Sequence, residues 1–91
     1  MDKLKIHLAN NNATKQYKFL QKNNKSVFKK LVKLLLAINE NHYEGIGKPE
    51  ALKGNLSGWW SRRITKEHRL VYRVENGIVI VILECMHHYG E

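Results

Sequence analysis

Acidic residues are scarce in this chain of 91 residues. Eight Asp and Glu stand against sixteen Lys and Arg, a formal net charge of +8. That imbalance raises affinity for nucleic acid, anionic membrane or an acidic protein segment, and says little about fold. Cysteine occurs once, at Cys85, which excludes an internal disulfide and fits a reducing compartment. Proline also occurs once, at Pro49. Long apolar runs are missing. The most apolar stretch, "LVKLLLAI" from Leu31 to Ile38, falls well short of the about 20 residues that a membrane-spanning helix needs. The opening "MDKLKIHLANNN" has no apolar core of signal-peptide length. The expectation is a soluble, cytoplasmic protein that does not enter membranes. No repeat, low-complexity tract or linker divides the chain, and a hydrophobic share of 43% supports a folded globule, so one domain over 1–91 is expected.

Periodicity supplies the elements. "KLKIHL" alternates, with Leu4, Ile6 and Leu8 on one side, and predicts a short strand. "NNNA" offers helix caps, and Ala13, Tyr17 and Leu20 recur at helical spacing up to about Lys22. "KNNK" breaks that helix, and Ser26 is the expected cap of a second. There Val27, Leu31, Leu34, Leu35 and Ile38 form an apolar stripe, while Lys29, Lys30 and Lys33 fall mostly on a solvated face. From Asn39 to Gly58 four glycines and the proline predict a long irregular connection, of a length more often functional than incidental. Strands follow at Trp60–Ile64 and His68–Val74, then an Asn76–Gly77 turn, then a final strand from Ile78. The predicted class is α+β: a small antiparallel sheet with two N-terminal helices packed on one face.

All four arginines, Arg62, Arg63, Arg69 and Arg73, lie within "SGWWSRRITKEHRLVYRV". A two-residue Asn76–Gly77 turn makes facing residue numbers sum to 153. Arg69, Arg73, Glu84, Met86 and His88 then share one face, and Leu70, Tyr72, Val74, Val79, Val81 and Leu83 the other. A face with arginines, a histidine and a nearby carboxylate has the parts for metal-free RNA cleavage. A base takes the proton of the ribose 2′-hydroxyl, cations stabilise the crowded phosphate, and an acid protonates the leaving 5′-oxygen. Glu50 suits the base, Arg69 with Arg63 or Arg73 the phosphate clamp, His88 the acid, and Tyr89 a stacking or positioning group. On residue types alone a plain RNA-binding module competes with a nuclease. Trp59 and Trp60 are of a kind to stack on bases, but neighbours on a strand face opposite ways, so at least one belongs to the core. Cys85, His87 and His88 do not share a face, which argues against a metal site.

The run "EGIGKPEALKGNLSGWWSRRITKEHRLVYRV", with a last strand ending "HHY", strongly resembles the YoeB toxins of the RelE superfamily, bacterial mRNA interferases of type II toxin–antitoxin systems. The resemblance is dense from Glu44 to Val74 and again from Cys85 to Tyr89. It implies a RelE-like fold and a ribosome-dependent endoribonuclease that cuts mRNA in the ribosomal A site without metal or other cofactor. It also implies neutralisation by a YefM-type antitoxin with an acidic, extended segment; a homodimer is a further possible assembly. Carried over by motif, Glu50 of "GKPE" is the base, Arg69 of "EHRLVY" stabilises the phosphate, and His88 of the terminal "HY" is the acid, followed by Tyr89. Lys48, Lys53, Arg62 and Arg63 are the implied RNA contacts, and Arg73 joins them from the face argument. Leu20 stands where such toxins commonly carry tryptophan, and Gly90–Glu91 extend past the terminal tyrosine.

Overall fold

The computed structural model describes residues 5–85. Strand β1 (Ile6–Leu8) leads into helices α1 (Asn11–Asn23) and α2 (Lys25–Glu40). Then come β2 (Glu50–Ala51), a single 3-10 turn at Gly54–Leu56, β3 (Trp60–Arg63), β4 (His68–Glu75) and β5 (Ile78–Cys85). The sheet order is β1-β5-β4-β3-β2. All pairs are antiparallel except β1 with β5, which is parallel. The expected antiparallel sheet is therefore mixed at one edge, because the chain returns to β1 only with its last strand.

The helices start where asparagine can cap them. Asn10 accepts the Ala13 amide at 2.8 Å. Asn24 serves both helices: its amide donates to Leu20 O at 2.9 Å, and its side chain accepts the Val27 amide at 3.4 Å. Ser26, the expected cap, lies inside α2 and its hydroxyl donates to the Asn24 side chain instead. The apolar stripe of α2 is buried throughout, from Val27 to Ile38. It packs with Leu20, Ile64, Leu70, Tyr72, Val79 and Val81 in one core between the helices and one sheet face. Tyr17 of α1 meets Phe28 of α2 edge-on, with ring centres 5.1 Å apart.

The hairpin forms in the expected register, with His68 opposite Cys85 and Glu75 opposite Ile78. Asn76 and Gly77 both have positive φ, 51° and 77°, the conformation that a twisted two-residue turn requires. At the other end of β4 the three residues Thr65–Glu67 make the turn, where Thr65 Oγ1 accepts the amides of Glu67 and His68. One element breaks the expected connection: β2, two residues on the sheet edge, pairs Glu50 with Ser61 and Ala51 with Trp60.

Candidate functional site

Strand pairing sets the site. Glu50 stands opposite Ser61 and Ser61 opposite Val71; one row further, Arg63 stands opposite Arg69. Facing and alternate residues share a side of a sheet, so these side chains gather on the face away from the helices. There Lys48, Glu50, Ser61, Arg63 and Arg69 line a cavity of about 160 Å³. One carboxylate among three cations can accept a proton while the cations hold a phosphate. Glu50, Lys48, Arg63 and Arg69 are thus brought together as expected. Ser61 was missed, although the period-two pattern sets it on the side of Arg63.

Arg73 lies on the same face but two rows from Arg69, outside the cavity lining. Its guanidinium carbon sits 4.8 Å from the Trp59 ring centre, and its Nε lies 2.9 Å from Glu75. Lys53 is exposed, just before the 3-10 turn, and is not part of the cavity wall. His88, Tyr89 and Met86 lie outside the described residues.

Arg62 corrects the sequence reading. It was expected to contact RNA, but it is fully buried on the helix-covered side. Its neighbour Arg63 faces the cavity because adjacent strand residues point opposite ways. Arg62 Nε donates to the Tyr72 hydroxyl at 3.2 Å, Nη1 to Ile46 O at 3.2 Å, and Nη2 to Asn41 O at 2.7 Å and Glu44 O at 3.0 Å. The Tyr72 hydroxyl donates in turn to His42 O at 2.6 Å. Burial pushes the Tyr72 hydroxyl pKa above its ordinary value, the interaction with Arg62 opposing it. Together the two side chains bind four backbone carbonyls of the segment that leads to Glu50.

That segment is pressed against its clamp. A methyl group on Gly47, whose φ is 87°, would lie 2.7 Å from Leu34 Cδ2 and 3.0 Å from Arg62 Cβ. The Gly47 carbonyl accepts the Arg63 amide at 2.6 Å. Lys48 also has a positive φ, 52°, which is uncommon for a residue with a side chain. The backbone turns sharply here and delivers Lys48 and Glu50 to the cavity. The glycine before "KPE" is therefore a steric requirement, and its neighbour in the ladder is the strand that carries Arg63.

Comparison with known proteins gives the family and the fold. The family model for the YoeB-like toxin of bacterial type II toxin-antitoxin systems matches residues 9–89. Toxin YoeB of Synechocystis is 48% identical over 73 residues, covering 80% of this chain and 84% of that protein. The toxin in a heterotetrameric YoeB-YefM complex from Staphylococcus aureus superposes with a TM-score of 0.86 at 45% identity, covering 97% of this chain and all of the other. A YoeB dimer from the same organism gives a TM-score of 0.82 at 45% identity, with the same coverage. With the family match spanning nearly the whole sequence and the fold shared along the same length, this chain belongs to the YoeB-like toxins of bacterial type II toxin–antitoxin systems.

Proposed function

We propose that the protein is an endoribonuclease that cleaves mRNA on the translating ribosome by metal-independent acid–base chemistry. The observation that carries this reading is the cavity in which Glu50 meets Lys48, Arg63 and Arg69. Glu50 takes the proton of the ribose 2′-hydroxyl, whose oxygen attacks phosphorus. Arg69 and Arg63 stabilise the charge that builds on the phosphate oxygens. His88 gives a proton to the departing 5′-oxygen, leaving a 2′,3′-cyclic phosphate, and Tyr89 positions the phosphate. Lys48, Lys53 and Arg73 add contacts to RNA. Arg62 has no part in this step, being buried.

A YefM-type antitoxin would neutralise the protein by laying an acidic segment over the charged face. The net charge of +8 favours such a partner, and the Staphylococcus aureus toxin is seen with YefM. Self-association into a homodimer belongs to the same reading, since that toxin also occurs as a dimer.

Primer extension on a translated mRNA tests the chemistry. His88→Gln keeps hydrogen bonding but cannot donate a proton as an acid at neutral pH. It should lose about 10²–10⁴ in single-turnover cleavage while its ribosome binding and circular dichroism stay unchanged. Cleavage at near wild-type rate removes His88 from the role of acid. Retained binding with no cleavage in the wild-type protein itself would leave a non-catalytic RNA-binding module.

A further inference from the structure

The open face of the sheet carries a second arrangement, next to the cavity. Continuing the β3–β4 register one pair beyond Trp60–Tyr72 sets Trp59 opposite Arg73. The Arg73 guanidinium carbon lies 4.8 Å from the Trp59 ring centre. Glu75, two residues on and on the same side, touches Arg73 Nε at 2.9 Å. The arginine side chain is still 41% exposed. The next row holds Ser61 and Val71, and Ser61 is the residue opposite Glu50. Two residues of strand, about 7 Å, therefore separate the Trp59–Arg73 row from the Glu50 row.

We propose that Trp59 and Arg73 form a nucleobase-stacking subsite for the nucleotide adjoining the one held in the cavity. The proposal rests on the ribonuclease reading and adds to it a surface that recognises a base rather than a phosphate. The guanidinium lies over the indole ring, and the Glu75 carboxylate makes a charge contact at its Nε side. Bases stack on arginine planes and on aromatic rings in single-stranded RNA complexes. A guanidinium already resting over an indole loses less freedom when a base settles on it than a free arginine would. The same carboxylate argues against a simple phosphate contact here. Glu75 offsets the charge of Arg73 and repels a phosphate, whereas a neutral base face feels neither effect strongly. Base-stacking tolerates any sequence, because every base has a π-face.

The test uses ribosomes programmed with synthetic mRNAs that lack one base, at each position flanking the scissile phosphate in turn. Wild-type protein and Arg73→Lys are compared by single-turnover kcat/KM. Lysine keeps the charge and loses the plane, so the pair separates stacking from simple attraction. Stacking on such a platform is worth about five- to 150-fold per base. Removing one flanking base should therefore slow the wild-type protein by a factor in that range. Arg73→Lys should be slowed on intact mRNA by a similar factor, and removing that base should then cost it less than about twofold. The proposal is overturned if Arg73→Lys cuts intact mRNA like wild type, or if the missing base costs both proteins equally. Wild-type protein that cleaves none of the programmed mRNAs overturns the ribonuclease reading as well. Cleavage that responds to Glu50→Gln but to no flanking base and not to Arg73 overturns this proposal alone.

Discussion

Replacing Arg62 by methionine should loosen the approach to the site while changing none of the side chains that line the cavity. The side chains are similar in length, but methionine has no donor. The change removes four hydrogen bonds, from the Tyr72 hydroxyl and the carbonyls of Asn41, Glu44 and Ile46. At a net ~1–1.5 kcal/mol each these would total about 4–6 kcal/mol. Two effects offset part of that loss. Asn41, Glu44 and Ile46 are exposed residues, so their carbonyls can regain water. Among the described residues no carboxylate is bonded to the buried guanidinium, and removing it relieves its desolvation cost. A net loss of about 2–3 kcal/mol remains. For a domain of this size that lowers the melting temperature by roughly 10–20 °C. Circular dichroism melting measures the shift, and hydrogen exchange at the Arg63 amide, which donates to Gly47 O, reports on the segment. Arg62→Lys should rescue little, because one ammonium cannot reach partners spread over the guanidinium fork. Arg63→Met, at an exposed position, should change stability by less than about 0.5 kcal/mol. An Arg62→Met protein that melts with the wild type, or an Arg63→Met protein that melts as early as Arg62→Met, refutes the assignment of the buried arginine as the clamp.

Three further outcomes are expected. Glu50→Gln should cut ribosome-bound mRNA about 10²–10⁴ more slowly with an unchanged melting curve, because Glu50 is exposed on a two-residue edge strand; loss of folding instead would make it structural. Gly47→Ala should destabilise by more than about 1 kcal/mol in denaturant titration, since its φ is 87° and its methyl group would meet Leu34 and Arg62; a neutral result would mean that the segment relaxes freely. Stability should fall as pH rises from the ordinary tyrosine value of about 10 through the higher pKa of folded Tyr72, because burial favours the neutral hydroxyl; it should be fully present below that range, and Tyr72→Phe should abolish this component of the alkaline loss.

The legible parts of the fold were those with a local physical signature. The stripe of α2 has helical period over five residues, and all five are buried. Asn76–Gly77 is a turn signal strong enough to fix the β4–β5 register, and through it the side on which Arg69 and Arg73 lie. β2 was not legible because two residues carry no period, and glycine and proline on either side read as loop. The parallel pairing of β1 was hidden because strand order depends on the whole topology. Arg62 was misplaced by its neighbour and its charge: "RR" reads as one basic patch. Its parity could have separated the two, since Trp60, Arg62 and Ile64 alternate with Ser61, Arg63 and Thr65. An arginine flanked on its own side by apolar residues is a candidate for the core.

Why a cation should occupy that core position follows from the backbone it serves. Between α2 and β2 the chain turns through positive φ at Gly45, Gly47 and Lys48 and forms no strand or helix of its own. Its carbonyls need donors, and those that face the core cannot all find water. An apolar side chain would leave them to water alone, without a tie to β3, and a carboxylate would add another acceptor. Lysine has three donors at one point, whereas the guanidinium spreads its donors along a plane and reaches Asn41, Glu44, Ile46 and Tyr72 together. A carboxylate partner for Arg62 would compete for those same donors, which explains why its hydrogen bonds go to carbonyls and a hydroxyl. The position of Glu50 against Lys48, Arg63 and Arg69 thus depends on a charge that never meets substrate. Strand β3 contributes one arginine to the cavity and the preceding one to the scaffold that holds the cavity's carboxylate in place.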